Sequence, residues 1–332
     1  MNKKIRTATI VMTVLSAAAA FVVAQEPAAD PGAGAKKQGK KGKGGGGQTR
    51  IDMATLTRPI DMHDTVWIED MTQIEIRDSL AAGKTTALIF VGGMEDNGPY
   101  VTVSQHNSIS KAMCDMIARK LNNALCAPIL GMAPGNPETS KNPGSVVVSP
   151  ETFKGVLSDT AASLKTQGFK NVMFMVDHGA DQGPTVEVSK ALAEKWKGSG
   201  TMAYYVPEYY DYNEVETFEH DVLKVEEKRE GYHDDYYVAS ISVAIDPNGA
   251  RMPERIKASK TTINGVELNS PKAVEDGKKI MAFRRDAAGR GLIRLIVTRR
   301  QLSYDYEPSR HHLRNCSFSR ACCHRAGLGR FP

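Results

Sequence analysis

Acids and imidazoles crowd into three short segments of this chain, and their types suit metal-assisted hydrolysis. The first segment, "VGGMEDNGPYVTVSQHN" (91–107), carries Glu95 and His106; the second, "MVDHGADQGP" (175–184), carries Asp177, His178 and Asp181. The third, around "YHDDYY", carries His233, Asp234 and Asp235. Carboxylate plus imidazole is the donor mix of a Zn, Mn or Fe ion held with open coordination positions. Such an ion polarises a carbonyl and acidifies a water, as hydrolysis near neutral pH requires. A neighbouring His can then pass a proton to the leaving group. The competing reading is structural. Lone acids and histidines in loops are usually solvated, and Asp177 or Asp181 could cap turns or helices by accepting free N–H groups. His220, in an acidic stretch, reads as surface.

The elements that must position these residues alternate in type. "TALIFVGG" and "NVMFMVD" are continuous apolar runs that read as buried strands, and "CAPILGM", "VVV" and "TMAYYV" read as shorter ones. Between them, "NSISKAMCDMIARKLNNA" places Ile109, Met113, Met116, Ile117 and Leu121 at helical spacing, with Asn107 or Ser108 as its cap. "SPETFKGVLSDTAASLKTQG" reads as a helix capped by Ser149, with Pro150 in its first turn and Gly168 at its end. "GPTVEVSKALAEKWKG" comes after the second strand in the same way. Strands alternating with helices predict an α/β fold, a three-layer α/β/α sandwich with a mostly parallel sheet. In such sheets ligands sit at the carboxyl ends of strands, where the first two segments fall.

Charge is unevenly spread. Of 43 basic and 38 acidic residues in 332, the central stretch 51–283 keeps 23 and 33, which argues against nucleic acid or an anionic membrane as partner. The N-terminus reads as an export signal over 1–24: Lys3, Lys4 and Arg6 precede the apolar run Ala8–Val23, with small residues before a cleavage point at Ala24. A single-span anchor is the alternative, but the run is short of the ~20 residues a span needs and is broken by Thr9, Thr13 and Ser16. No stable membrane span is expected once the signal is removed, and the location expected is periplasmic or secreted. Residues 25–63 form a Lys/Gly-rich linker and lead-in that cannot bury apolar area and is expected to be disordered. The domain with the chemistry is expected over 64–283. Beyond Phe283 the chain holds eleven Arg, no Lys and three of its five Cys, which suggests a reading-frame change and a disordered tail over 284–332; the rival reading is a nucleic-acid-binding or metal-binding tail. Cys114 and Cys126 lie in apolar context and read as core fillers rather than ligands.

Three motifs in order carry a resemblance. "VGGMEDNGPYVTVSQH" resembles the creatininase-family block G-x-x-E-x-H-G-P-H, "MVDHGADQ" its N-G-H-G-G-N block, and "GYHDDYYVASISVAIDP" its third block, H-A-G-x-x-E-T-S. The resemblance implies a three-layer fold and a metal-dependent amidohydrolase of cyclic or unusual amides, with a tendency to form homo-oligomers. On it, Glu95 and His178 match metal ligands, His106 stands at the place of a metal-bridging Asp, and His233 matches the proton-shuttling His. Asn97 stands where a second-metal His is expected, Ala180 where some members have a second-metal Glu, and Val238 where the third block has its Glu. The expectation is therefore one divalent ion (Zn, Mn or Fe) on Glu95, His106 and His178. Asp181, Asp234 and Asp235 are left for base or ligand-orienting roles. Tyr100, Tyr236 and Tyr237 are candidates to line the pocket. The expected activity is attack of a metal-activated water on a carbonyl of a small polar, cyclic amide or related substrate. The alternatives are a non-catalytic binding protein on the same fold and a metal-assisted hydrolase or isomerase of a keto-sugar.

Overall fold

The computed structural model describes residues 51–304. The expected signal segment, the linker up to residue 50 and the tail from 305 onward lie outside the described residues. The lead-in 51–63 is mostly exposed but lies along the first helix. Arg77 donates to the carbonyls of Met53 and Leu56 at 2.6 and 2.9 Å, and Arg58 pairs with Asp78 at 3.3 Å.

In chain order the elements are α1 (Gln73–Ala81), β1 (Thr86–Val91), α2 (Gln105–Leu121), β2 (Ala124–Cys126), β3 (Ala133–Pro134), β4 (Val147–Val148), α3 (Pro150–Gln167) and β5 (Asn171–Val176). Then come α4 (Gln182–Lys195), β6 (Met202–Tyr205), α5 (Tyr212–Phe218), α6 (Tyr236–Ile245), α7 (Met252–Lys257), β7 (Thr262–Ile263), β8 (Val266–Glu267) and α8 (Pro271–Tyr304). The main sheet is parallel throughout, in the order β2-β1-β5-β6. β1 and β5 are buried at every position, as their unbroken apolar runs require of strands covered on both faces.

The two faces divide these strands by alternation. Leu88, Phe90, Met173 and Met175 pack with Ile109, Met113 and Ile117 of α2 and with α6 and α8. Ala87, Ile89, Val172 and Phe174 pack with Phe153, Leu157, Val188 and Leu192 of α3 and α4. This is the three-layer sandwich. The helix α3 has the expected ends: the Ser149 hydroxyl accepts from Thr152 N, Pro150 opens the first turn, and Gly168 closes it at φ 112°. Cys114 and Cys126 are fully buried as expected and are in addition joined in a disulfide between α2 and the end of β2. Among the described residues no helix is long and apolar enough to cross a membrane.

The packed domain does not end at the expected boundary, Phe283. Helix α8 passes through it unbroken, and Arg284, Ala287, Ala288 and Leu292 are buried. The physical reason is the apolar stripe Ala273, Ile280, Ala288 and Leu292, which continues against the core after the Arg-rich composition begins. Contact between α8 and α6 is close enough that a Cβ on Gly277 would lie 2.2 Å from the carbonyl oxygen of Ser240. A backbone atom cannot move aside as a flexible side chain can. Gly277→Ala is expected to cost about 3 kcal/mol, because overpacking against backbone separates the two helices. Urea unfolding that shows a loss below about 0.5 kcal/mol would contradict this packing.

Candidate functional site

β1 and β5 lie side by side at the point where the sheet order reverses, and their last residues, Val91 and Val176, are paired. The loops leaving the two strands therefore emerge together, at the place where open parallel sheets bind ligands. Glu95 comes off the end of β1, and Asp177 and His178 come directly off the end of β5. His106 arrives differently from expectation. Helix α2 starts at Gln105, with Ser104 at its cap position, so His106 lies in the first helical turn and is 6% exposed. Asn107 is not the cap because its side chain is used elsewhere: Oδ1 accepts from Gly93 N at 2.9 Å and Nδ2 donates to Gly131 O at 3.2 Å. Gly93 itself leaves room for the imidazole of His178, whose Cγ would lie 3.2 Å from an added Cβ.

These side chains form one line of contacts. Glu95 Oε1 is 2.5 Å from His106 Nε2, and Glu95 Oε2 is 2.9 Å from His178 Nε2. Each ring has a carboxylate behind it: Asp177 Oδ2 lies 3.1 Å from His106 Nδ1, and Asp181 Oδ1 lies 3.1 Å from His178 Nδ1. Burial would push Glu95 upward, but hydrogen bonds from His106 and His178 outweigh it and hold the carboxyl well below the usual range. Burial disfavours charge on His106, yet its contacts with Asp177 and Glu95 raise it to about 9. His178 is likewise raised to about 10, with Asp181 and Glu95 overcoming its burial. Asp181, fully buried at the start of α4, caps nothing with its side chain, and burial raises its pKa.

The third segment closes the rim. His233 Nδ1 stands 3.9 Å from Glu95 Oε2, with its side chain 67% exposed. Asp235 accepts from the Tyr212 hydroxyl. Asp234 is buried, and neither carboxyl oxygen has a hydrogen-bond partner among the described residues. Together the three segments enclose a cavity of about 360 Å³ walled by Tyr210, Tyr212 and Tyr237. Of the three tyrosines expected to line a pocket, only Tyr237 does so. Tyr236 instead sends its hydroxyl to Asp276 in the core, and Tyr100 lies under the Arg255 guanidinium, 4.4 Å from its ring. A larger cavity of about 610 Å³ lies against α2, but its charged lining of Lys111, Asp115 and Asp246 brings no imidazole.

A family model described as creatininase, creatinine amidohydrolase, matches residues 69–287. The chain belongs to the creatininase family. Among solved structures, a mutant creatininase aligns with a TM-score of 0.52 at 16% identity, covering 74% of this chain and 100% of that one. A creatininase mutant of Zn-Zn type aligns at 0.51 and 16%, and a crystal structure of creatinine amidohydrolase at 0.50 and 14%, with the same coverage. At these identities the likeness is one of fold. No curated protein matches.

The departures from the family's motifs now have surroundings. Asn97 is engaged at both ends, donating to Thr102 O at 3.1 Å and accepting from Gln105 at 2.6 Å, so its amide is committed to holding the loop. Ala180 and Val238 line the cavity without polar side-chain atoms to offer. Among the described residues no three His, Cys, Asp or Glu side chains stand as a ready cage for a metal ion, because both Nε2 atoms close on Glu95 itself. The donor chemistry fits a single ion all the same. Two imidazoles turn their Nε2 atoms to one carboxylate, and each Nδ1 has the acceptor that metal-binding histidines usually keep.

Three residues at the site carry no local signal of their role. Tyr209 and Tyr210 sit just beyond a strand-like run, and Arg284 is one arginine of an Arg-rich stretch. Tyr209 donates its hydroxyl to Asp177 Oδ1 at 2.8 Å, and Arg284 reaches the same oxygen at 2.5 Å. Only the apolar spacing of 273–292 could have signalled that Arg284 belongs to a packed helix.

Behind Asp235, Glu219 is 5% exposed with one oxygen unpartnered, and burial together with the charges of Glu227 and Asp235 pushes its pKa up to about 8. Because the folded pKa lies above the ordinary 4.5, its stability contribution is complete below about pH 4.5 and is lost as pH rises through 8. Glu219→Gln should match wild type at pH 4.5 and exceed it at pH 9, by on the order of 1–3 kcal/mol. Equal denaturant midpoints for the two proteins at pH 9 would overturn this assignment.

Proposed function

We propose that this protein is an exported, single-metal hydrolase of the creatininase type that opens a small polar cyclic amide. The observation that carries the reading is the Glu95 carboxylate set between His106 Nε2 and His178 Nε2, with Asp177 and Asp181 behind the two rings. Glu95, His106 and His178 would hold the ion, which when bound acidifies water and polarises a carbonyl. The other roles belong to the chain. Asp177 and Asp181 fix the ring orientations. His233, exposed at the rim and close to Glu95, would protonate the nitrogen that leaves when the amide opens. Asp235, oriented by Tyr212, offers an acceptor to a substrate N–H. The tyrosine walls bound a volume of about 360 Å³ that suits a small ring. The engaged Asn97 and apolar Ala180 support one ion rather than two.

Export is supported by Lys3, Lys4 and Arg6 before the apolar run, and by the Cys114–Cys126 disulfide, which suits an oxidising compartment. The lost second-metal positions favour one competing reading, a binding protein that has kept the fold and lost turnover.

Metal analysis decides first. About one Zn or Mn per chain is expected, and a preparation that takes up no Zn, Mn or Fe sinks the reading. Asp177, Asp181 and Glu95 raise the pKa values of both imidazoles, so zinc titration at pH 7 should release protons, read by calorimetry in buffers of different ionisation enthalpy. Glu95→Ala and His178→Ala should lose metal and turnover together on a panel of lactams, lactones and keto-sugars. Ligand binding retained in both variants, with no turnover in wild type, would establish the binding protein instead.

A further inference from the structure

The two imidazole arms of the site are held differently. Asp181 supports His178 through Oδ1, while its Oδ2 is buried with no hydrogen-bond partner among the described residues. Asp177 is clamped. Its Oδ1 takes hydrogen bonds from Arg284 Nη2 at 2.5 Å and from the Tyr209 hydroxyl at 2.8 Å, leaving Oδ2 for His106 Nδ1 at 3.1 Å. Arg284 is 3% exposed, its Nε lies 3.4 Å from Tyr209 O, and its guanidinium carbon sits 4.4 Å from the Tyr209 ring centroid. The guanidinium is thus fixed on two sides by one tyrosine and directs its charge at one carboxylate. A planar fork of this kind sets direction as well as charge, which an ammonium does not.

A buried carboxylate beside an imidazole can turn. Two donors on one oxygen oppose this, because they hold the carboxylate in a single orientation. We propose that Arg284 of α8 is a positioning residue: by clamping Asp177 with Tyr209, it holds the Asp177 carboxylate where it meets His106 Nδ1, keeps that ring turned with Nε2 toward Glu95, and so sets the site's affinity for a divalent ion. The effect on metal affinity rests on the function proposed above, whereas the clamp on His106 does not.

Two readouts test it. In metal-free protein, the hydrogen-bonded Nδ1 proton of His106 should give a low-field proton resonance, identified by its loss in His106→Gln. Arg284→Gln should abolish or broaden that resonance, and Arg284→Lys should restore it in part. Zinc affinity, measured well below the melting temperature, should fall about 10–100-fold in Arg284→Gln, as for other groups that orient metal ligands. Asp177→Asn should give a similar fall, and the double variant should be no worse than either single one. A merely structural arginine would lower the melting temperature and leave both the resonance and the zinc affinity of the folded protein unchanged, and that result overturns the proposal. If wild type takes up no zinc, the hydrolase reading fails, and the resonance still decides the clamp. If Arg284→Gln does not fold, Arg284→Lys and Tyr209→Phe, which each weaken one side of the clamp, decide by the same resonance.

Discussion

Everything chemical in this protein depends on two parallel strands ending level. Because Val91 pairs with Val176, the carboxylate beyond β1 and the imidazole beyond β5 emerge within hydrogen-bonding reach, and the first turn of α2 brings in a second imidazole. A carboxylate held largely away from water is costly without partners, and Glu95 has two. The buried His106 and the part-buried His178 each have a carboxylate on the far side. The cost of collecting these groups at one strand-end cleft is thus met locally, pair by pair.

The surrounding structure serves that arrangement at several removes. α2 and β2 are tied by the Cys114–Cys126 disulfide, which fixes the helix carrying His106 to the sheet edge. α6 carries Tyr237 and Val238 into the cavity and starts directly after Asp235; it is held in place by close packing on α8 at Gly277. α8 then returns a charged group, Arg284, to the rear of the site. Asn97 ties the loop after β1 to Thr102 and Gln105, and so supports the loop that carries Glu95.

Much of this is legible in the chain. The apolar runs at 86–91 and 171–176 could only be strands buried on both faces, since nothing else accounts for six apolar or neutral residues in a row flanked by helical periodicity. Ser149, Pro150 and Gly168 mark both ends of α3 because capping is a local interaction. Donor type and strand-end position bring Glu95, His106 and His178 into a wider set of candidates, the family motifs single them out, and the structure brings them together. The start of α2 is not legible in the same way, because Asn107, the apparent cap, bonds to Gly93 and Gly131 instead.

The sequence by itself determined the strand and helix pattern, which depends on local periodicity, and the family, which three short motifs in order made recognisable. Tertiary structure alone decided the orientation of the site's side chains and what stands behind them. Asp177 became an acceptor rather than a cap, Tyr236 turned to the core while Tyr210 and Tyr212 reached the cavity, and Arg284 proved to be a buried partner of the site from over a hundred residues away. Composition near Phe283 pointed the other way, since an arginine in an Arg-rich run looks solvated until a helix packs it. Its role exists only once α8 lies across α6 and places a guanidinium against a carboxylate, and no local pattern records a contact between distant parts of the chain.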